Sequence, residues 1–159
     1  MSYLYIEAPS DIVPPQDKEI IFLAGGITRC CNWQARATEV LANLPVVICN
    51  PRRRVWNLDI EWQVQQQILW EFKHLELATQ ILFWFEKDEI QPIALFELGA
   101  RLRGNKPIFL GVHPDYPRRI DILTQAPLYR YTSKIEDDLE SLIKRVTDYN
   151  RLLNIVVKK

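Results

Sequence analysis

Residues 19–26 read Glu-Ile-Ile-Phe-Leu-Ala-Gly-Gly, and this stretch decides the fold class. Its apolar run, Ile20–Ala24, is far too short to span a membrane, and two glycines stop it abruptly. A strand that is apolar at consecutive positions, not alternate ones, is covered on both faces. That is the condition of a parallel sheet with helices on each side. Working outward, Pro45–Cys49, Thr79–Phe85 and Lys106–Gly111 repeat the pattern, and amphipathic stretches lie between them. Trp33 to Leu44 predicts a helix with Asn32 as N-cap. Asp59 caps a long helix from Ile60 to about Ala78, and Pro92 opens a third through Leu102, closed by Gly104-Asn105. A short strand is expected at Leu128–Thr132. Ser133 with Glu136 reads as a capping box for a last helix to about Leu153. The expectation is an α/β three-layer sandwich, a five-stranded parallel sheet in flavodoxin-like order, forming a single domain over residues 1–159. Such sheets bind ligands beyond the carboxyl ends of their strands, so chemistry is expected after Ala24, Cys49, Phe85 and Gly111.

Composition removes several function classes. Lys plus Arg equals Asp plus Glu, 20 against 20, so the basic excess that a nucleic-acid polymer requires is missing. No apolar run is long enough for a membrane partner, and Met1–Ser10 lacks the basic-then-apolar order of a secretory signal. Three cysteines, two of them adjacent (Cys30 and Cys31), make no disulfide framework and fit a reducing, cytoplasmic setting. Only two histidines are present, metal-ligand spacing is missing, and no serine elbow or Cys/His pairing offers a nucleophile. No metal and no cofactor are expected.

Four places can carry chemistry. Gly25-Gly26-Ile27-Thr28 ends the first apolar strand, where glycine allows a ligand close to the backbone; the spacing is neither a dinucleotide fingerprint nor a Walker loop. Glu97 sits alone in the apolar helix Pro92–Ala100, expected to be buried. An unpaired buried carboxylate is costly, so it serves either a site or an ion pair with Arg101, four residues on. On a helical wheel Ile60, Val64, Ile68, Phe72 and Leu75 form one stripe, with Glu71 inside it and Gln67 beside it. Trp62, Leu69, Trp70 and Leu77 lie on other faces, which suggests a helix buried both on the sheet and against another subunit. Asn50-Pro51-Arg52-Arg53-Arg54 offers guanidinium forks for an anionic group, as does Arg29; Asp88 and Glu89 are candidate proton donors.

Read in order, Phe22–Ile27, Trp33-Gln34, Asn50–Arg53, Trp70-Glu71, Ile81–Phe85 and Phe96–Gly99 resemble the nucleoside 2-deoxyribosyltransferase superfamily, in particular its nucleoside 2-deoxyribosyltransferase-like branch. The resemblance covers roughly residues 19–125, with Glu-Leu-Gly at 97–99 its most specific element. It implies that Glu97 is the nucleophile attacking C1′ of a deoxynucleoside, staying ionised in a desolvated site, and that Glu71 helps to bind and protonate the base. Gly25, Gly26, Ile27, Asp88 and Gln91 are the further substrate-binding candidates, with Arg29 or Arg52 for a phosphate or carboxylate. Where family members often carry an aspartate six residues before the nucleophile, this chain has Gln91, which binds a base without serving as an acid. The implied activity is a pentosyltransferase of nucleotide salvage; the alternatives are an N-glycosidase on a nucleoside or nucleotide, and a non-catalytic nucleotide-binding module. The implied partner is a small-molecule deoxynucleoside or nucleotide. Homo-oligomerisation is expected through the Ile60–Ala78 helix.

Overall fold

A computed structural model describes residues 3–55 and 59–156. Five strands, β1 (Leu4–Glu7), β2 (Ile20–Gly25), β3 (Val47–Asn50), β4 (Gln80–Phe85) and β5 (Ile108–Val112), form one sheet in the order β1-β3-β2-β4-β5. Every pairing is parallel, with Phe22 opposite Cys49 on one side of β2 and Ile81 on the other. Helices α1 (Trp33–Leu41), α2 (Glu61–Leu77), α3 (Pro92–Arg101), α4 (Arg119–Leu128) and α5 (Leu139–Val156) complete the chain.

Strand alternation assigns the layers. Ile20, Phe22 and Ala24 of β2 join Ile81, Phe83 and Phe85 of β4 in a core with Trp70, Leu75, Ala94, Leu98 and Ile122 of α2, α3 and α4. Ile21 and Leu23 join Leu82 and Trp84 in a second core, with Trp33, Ala37 and Leu41 of α1 and Leu142 and Val146 of α5. The fold is therefore a three-layer α/β sandwich of flavodoxin-like type. Within it the chain leaves β2 first toward β3 and then, through α2, toward β4 on the opposite side, so the switch point lies at the end of β2.

The strands at 20–25, 47–50, 80–85 and 108–112 lie where expected, and Asn32 caps α1 by accepting the Ala35 N–H at 3.2 Å. Three expectations fail. Leu128 ends α4 and the residues after it form no strand; the fifth strand is instead Leu4–Glu7, hydrogen-bonded to β3 at the opposite edge. Among the described residues the edge beside β5 receives a single bridge, Gly111 with Glu136. Ser133 caps nothing in α5. Asp138 takes the first-turn N–H of Ser141 at 2.7 Å, and Glu136 is buried between Lys134 (2.6 Å) and Arg145 (3.2 Å). Finally, α2 starts one residue later than expected, with Ile60 at its N-cap position and no capping hydrogen bond from a side chain.

The two site-bearing helices turn different faces inward from those expected. On α2 the buried residues are Gln67, Trp70, His74 and Leu75, while Ile68 and Phe72 of the expected stripe are exposed, as is Leu69 of another face. On α3 only Ala94 and Leu98 are buried. Ile93 is 62% exposed, Phe96 is 77% exposed, and a side chain at Gly99 would meet open space. A helix apolar on nearly all sides is thus covered on one side only.

Candidate active site

A cavity of about 400 Å³, within the range of small-ligand sites, opens where β2 ends, between the Gly25–Arg29 turn and helices α2 and α3. Its floor is the glycine pair. Gly25 has φ +149°, and a Cβ there would collide with the Trp84 carbonyl oxygen; a Cβ on Gly26 would run into the Cys30 thiol and the Gln91 side chain. The Gly26 carbonyl accepts three side-chain donors: Trp33 Nε1 at 3.1 Å, Gln34 Nε2 at 3.1 Å and Arg52 Nη2 at 3.3 Å. This fixes the turn from outside the cavity and gives the Trp33-Gln34 pair a concrete task.

Two carboxylates face this space. Glu71 from α2 and Glu97 from α3 both line it. Arg101 does not pair with Glu97; its guanidinium takes Glu76 of α2. Burial, reinforced by the Glu71 charge and only partly offset by Arg101, pushes Glu97 up to about 8. Burial also raises Glu71, against the pull of a Gln67 hydrogen bond and the Arg53 charge. Two acids thus face one cavity, and their mutual repulsion together with burial favours one proton and one charge between them.

Glu71 is held by a chain of contacts. Gln67 donates from Nε2 to Glu71 Oε1 at 2.7 Å and to the Pro51 carbonyl at 2.7 Å, while Arg53 Nε donates to Gln67 Oε1 at 2.5 Å. Gln91 occupies the opposite wall in a left-handed conformation, φ 56° and ψ 57°, at the N-cap of α3. Its Nε2 donates to the Glu86 carbonyl (2.6 Å) and the Glu89 carbonyl (3.3 Å), and its Oε1 is buried without a donor among the described residues. Both partners of the nitrogen are acceptors only, so the orientation of the amide is settled by chemistry.

Gly25, Gly26, Ile27, Arg29, Glu71, Gln91 and Glu97 all line the one cavity, and Glu89, named only as a proton donor, joins them. Arg29 stands at its rim, 3.6 Å from Glu89, with most of its side chain in solvent. Two candidates fall outside. Asp88 is exposed and accepts the Cys31 N–H at 3.2 Å. Arg52 donates to Gln34 Oε1 at 2.9 Å and to the carbonyls of Gly26, Cys30 and Cys31, so it braces the turn and offers no fork to a ligand in this cavity. Phe22 and Pro51, from two of the quoted motifs, and Val64 supply apolar wall, a role that the sequence alone did not assign to them. Burial raises the Cys30 thiol to about 11 and the Cys49 thiol to about 12, so neither is an activated nucleophile. Among the described residues the one grouping with metal-ligand atoms within 4.8 Å of one another is Cys31, Glu86 and Asp88. Sequence spacing did not show it, and the Cys31 thiol is engaged with Glu86 Oε2 at 3.4 Å. Among the described residues no helix is long and apolar enough to cross a membrane.

A family model described as nucleoside 2-deoxyribosyltransferase like matches residues 18–116, more than half of the chain. The chain belongs to this family. The matched segment runs from the lead into β2 to the loop after β5, so it contains every cavity-lining residue and leaves out β1, α4 and α5. No curated protein matches the chain. Membership of the nucleoside 2-deoxyribosyltransferase-like family identifies a pentosyltransferase-like protein of nucleotide metabolism with a nucleoside-type ligand.

Proposed function

We propose that this protein transfers or hydrolyses the 2-deoxyribosyl group of a 2′-deoxynucleoside through an ester on Glu97. The observation that carries the reading is the pairing of Glu97 with Glu71 in one cavity at the end of β2, with Arg101 drawn away to Glu76. A carboxylate Oε of Glu97 attacks C1′, the C1′–N bond breaks, and its electron pair leaves with the base, which takes a proton from Glu71. The pair needs one proton and one charge for this step. Burial and the Glu71 charge favour the proton on Glu97 before the sugar is bound; positive charge growing at the anomeric carbon favours the Glu97 carboxylate, and Glu71 then holds the proton bound for the base. Gln91 offers an acceptor and not an acid, so the departing base does not draw its proton from that wall. The ester is opened by the nitrogen of a second base, which is transfer, or by water, which is hydrolysis.

The side of the cavity bearing Ile68 and Ile93 is open in a single chain, which favours N-glycosidase action wherever water enters freely. A homo-oligomer closes that side in our reading. Ile68 and Ile93 line the cavity and are exposed, Leu69 and Phe72 of α2 and Phe96 of α3 are exposed on the same two helices, and a large bare apolar surface is unusual on a monomer. Incubation with a 2-fluoro-2-deoxynucleoside tests the mechanism. A covalent sugar adduct on Glu97, absent from Glu97→Ala, supports it, and nucleoside binding without adduct or turnover overturns it. Product analysis with and without an added base separates transfer from hydrolysis.

A further inference from the structure

The Asn50–Arg53 segment lies outside the reacting atoms, yet it reaches both walls of the cavity. Arg52 grips the glycine turn through the carbonyls of Gly26, Cys30 and Cys31. The Pro51 carbonyl and Arg53 grip the amide of Gln67 from either end, and Arg53 also donates to Gln66 Oε1 at 3.0 Å. Gln67 is almost wholly buried, at 3% exposure, and its remaining N–H goes to Glu71. An amide with two donors and one acceptor engaged at 2.5–2.7 Å has one orientation available to it.

We infer that Gln67, fixed by Pro51 and Arg53, is a positioning residue that holds one oxygen of Glu71 and leaves the other to carry the proton for the leaving base. The inference rests on the glycosyl-transfer reading for its catalytic meaning, though the hold on Glu71 is measurable without turnover. Donation to Glu71 Oε1 favours the charged carboxylate, as does the nearby Arg53 charge. Glu97 from α3 faces the same cavity, and the Arg29–Glu89 pair at the rim is the other charged pair lining it. Gln67 thus keeps Glu71 a weaker proton holder than burial alone would make it, so that the acid can release its proton at neutral pH.

The test is a titration of carboxyl-labelled glutamates by carbon NMR in the full chain, wild type against Gln67→Met, which keeps the bulk and removes the donor. The Glu71 midpoint is expected to move up by about one pH unit. Since Glu71 must be protonated to act, the alkaline limb of kcat moves up with it, while KM changes far less. Arg53→Lys keeps the positive charge, loses the planar fork, and should move Glu71 in the same direction by a smaller step. A folded Gln67→Met with an unmoved Glu71 midpoint overturns the inference. If that variant does not fold, an unmoved midpoint in Arg53→Lys does so. Absence of wild-type turnover and of the Glu97 adduct sinks the glycosyl-transfer reading instead, and the midpoint displacement still decides whether Gln67 governs Glu71.

Discussion

Replacing Glu97 by glutamine should make the protein more stable at alkaline pH, with no substrate present. Burial and the Glu71 charge hold the Glu97 carboxyl at about 8 against an ordinary 4.5. Between those limits the folded chain keeps a proton that the unfolded chain has released, so stability falls as pH rises through this window and levels off above about pH 8. A displacement of that size corresponds to roughly 5 kcal/mol in total. The glutamine amide is still a buried polar group, so about half of this, ~2–3 kcal/mol, should be recovered in the variant. For a chain of this length that is a rise of about 5–10 °C in Tm at pH 9. Below about pH 4.5 both carboxyl states are protonated, and the advantage should vanish. Thermal melts of wild type and Glu97→Gln at half-unit steps from pH 4 to 9 provide the measurement. Parallel melting curves across the whole range would refute the argument, because they would mean that Glu97 is solvated and free of Glu71.

Other outcomes follow from the same cavity. Gly25→Ala places a methyl group against the Trp84 carbonyl at a backbone angle that side chains avoid, and should cost several kcal/mol, read as insoluble or early-melting protein. Gly26→Ala meets only movable side chains, Cys30 and Gln91, so it should fold and yet weaken nucleoside binding more than tenfold by calorimetry. Arg52→Met removes donors from Gly26, Cys30 and Cys31, which predicts a loss of about 2–4 kcal/mol in stability. Its affinity ratio between a nucleoside and its 5′-monophosphate should be unchanged, because the guanidinium does not line the cavity. Phe96→Lys, at the most exposed apolar position of α3, should shift the sedimentation coefficient toward a monomer and raise the share of hydrolysis in the products.

Much of the fold was legible because the inner strands are consecutive apolar runs, and burial on both faces writes that pattern directly into sequence. The outer elements were not. Leu4–Glu7 has four residues at an edge, and its pairing with β3 depends on contacts more than forty positions away. Tyr129, Tyr131 and Thr132 carry strand propensity, but Leu128 closes α4 and tertiary packing overrides the local preference. The same limit explains the misjudged helix faces. Periodicity marks a face that shuns water, and Phe72 or Phe96 carries no sign of whether the sheet or another chain covers it. Glu97 and Glu71 were found because a lone acid in an apolar context is conspicuous. The proton on Glu97 was hidden, since it arises from two acids brought together from positions 26 residues apart. Arg52 and Asp88 misled because charge in a loop says nothing about which backbone groups already claim it.

The bridge between Gly111 and Glu136 bears on how the molecule stays apart from its neighbours. Beyond β5 the sheet ends, and bare amide and carbonyl groups on such a border are a template onto which another chain can add a strand. Here Glu136 holds that border, buried and flanked by Lys134 and Arg145. An intruding strand would have to displace the buried Glu136 carboxylate from its two cations and leave it without partners, a cost that guards against fibril-like stacking.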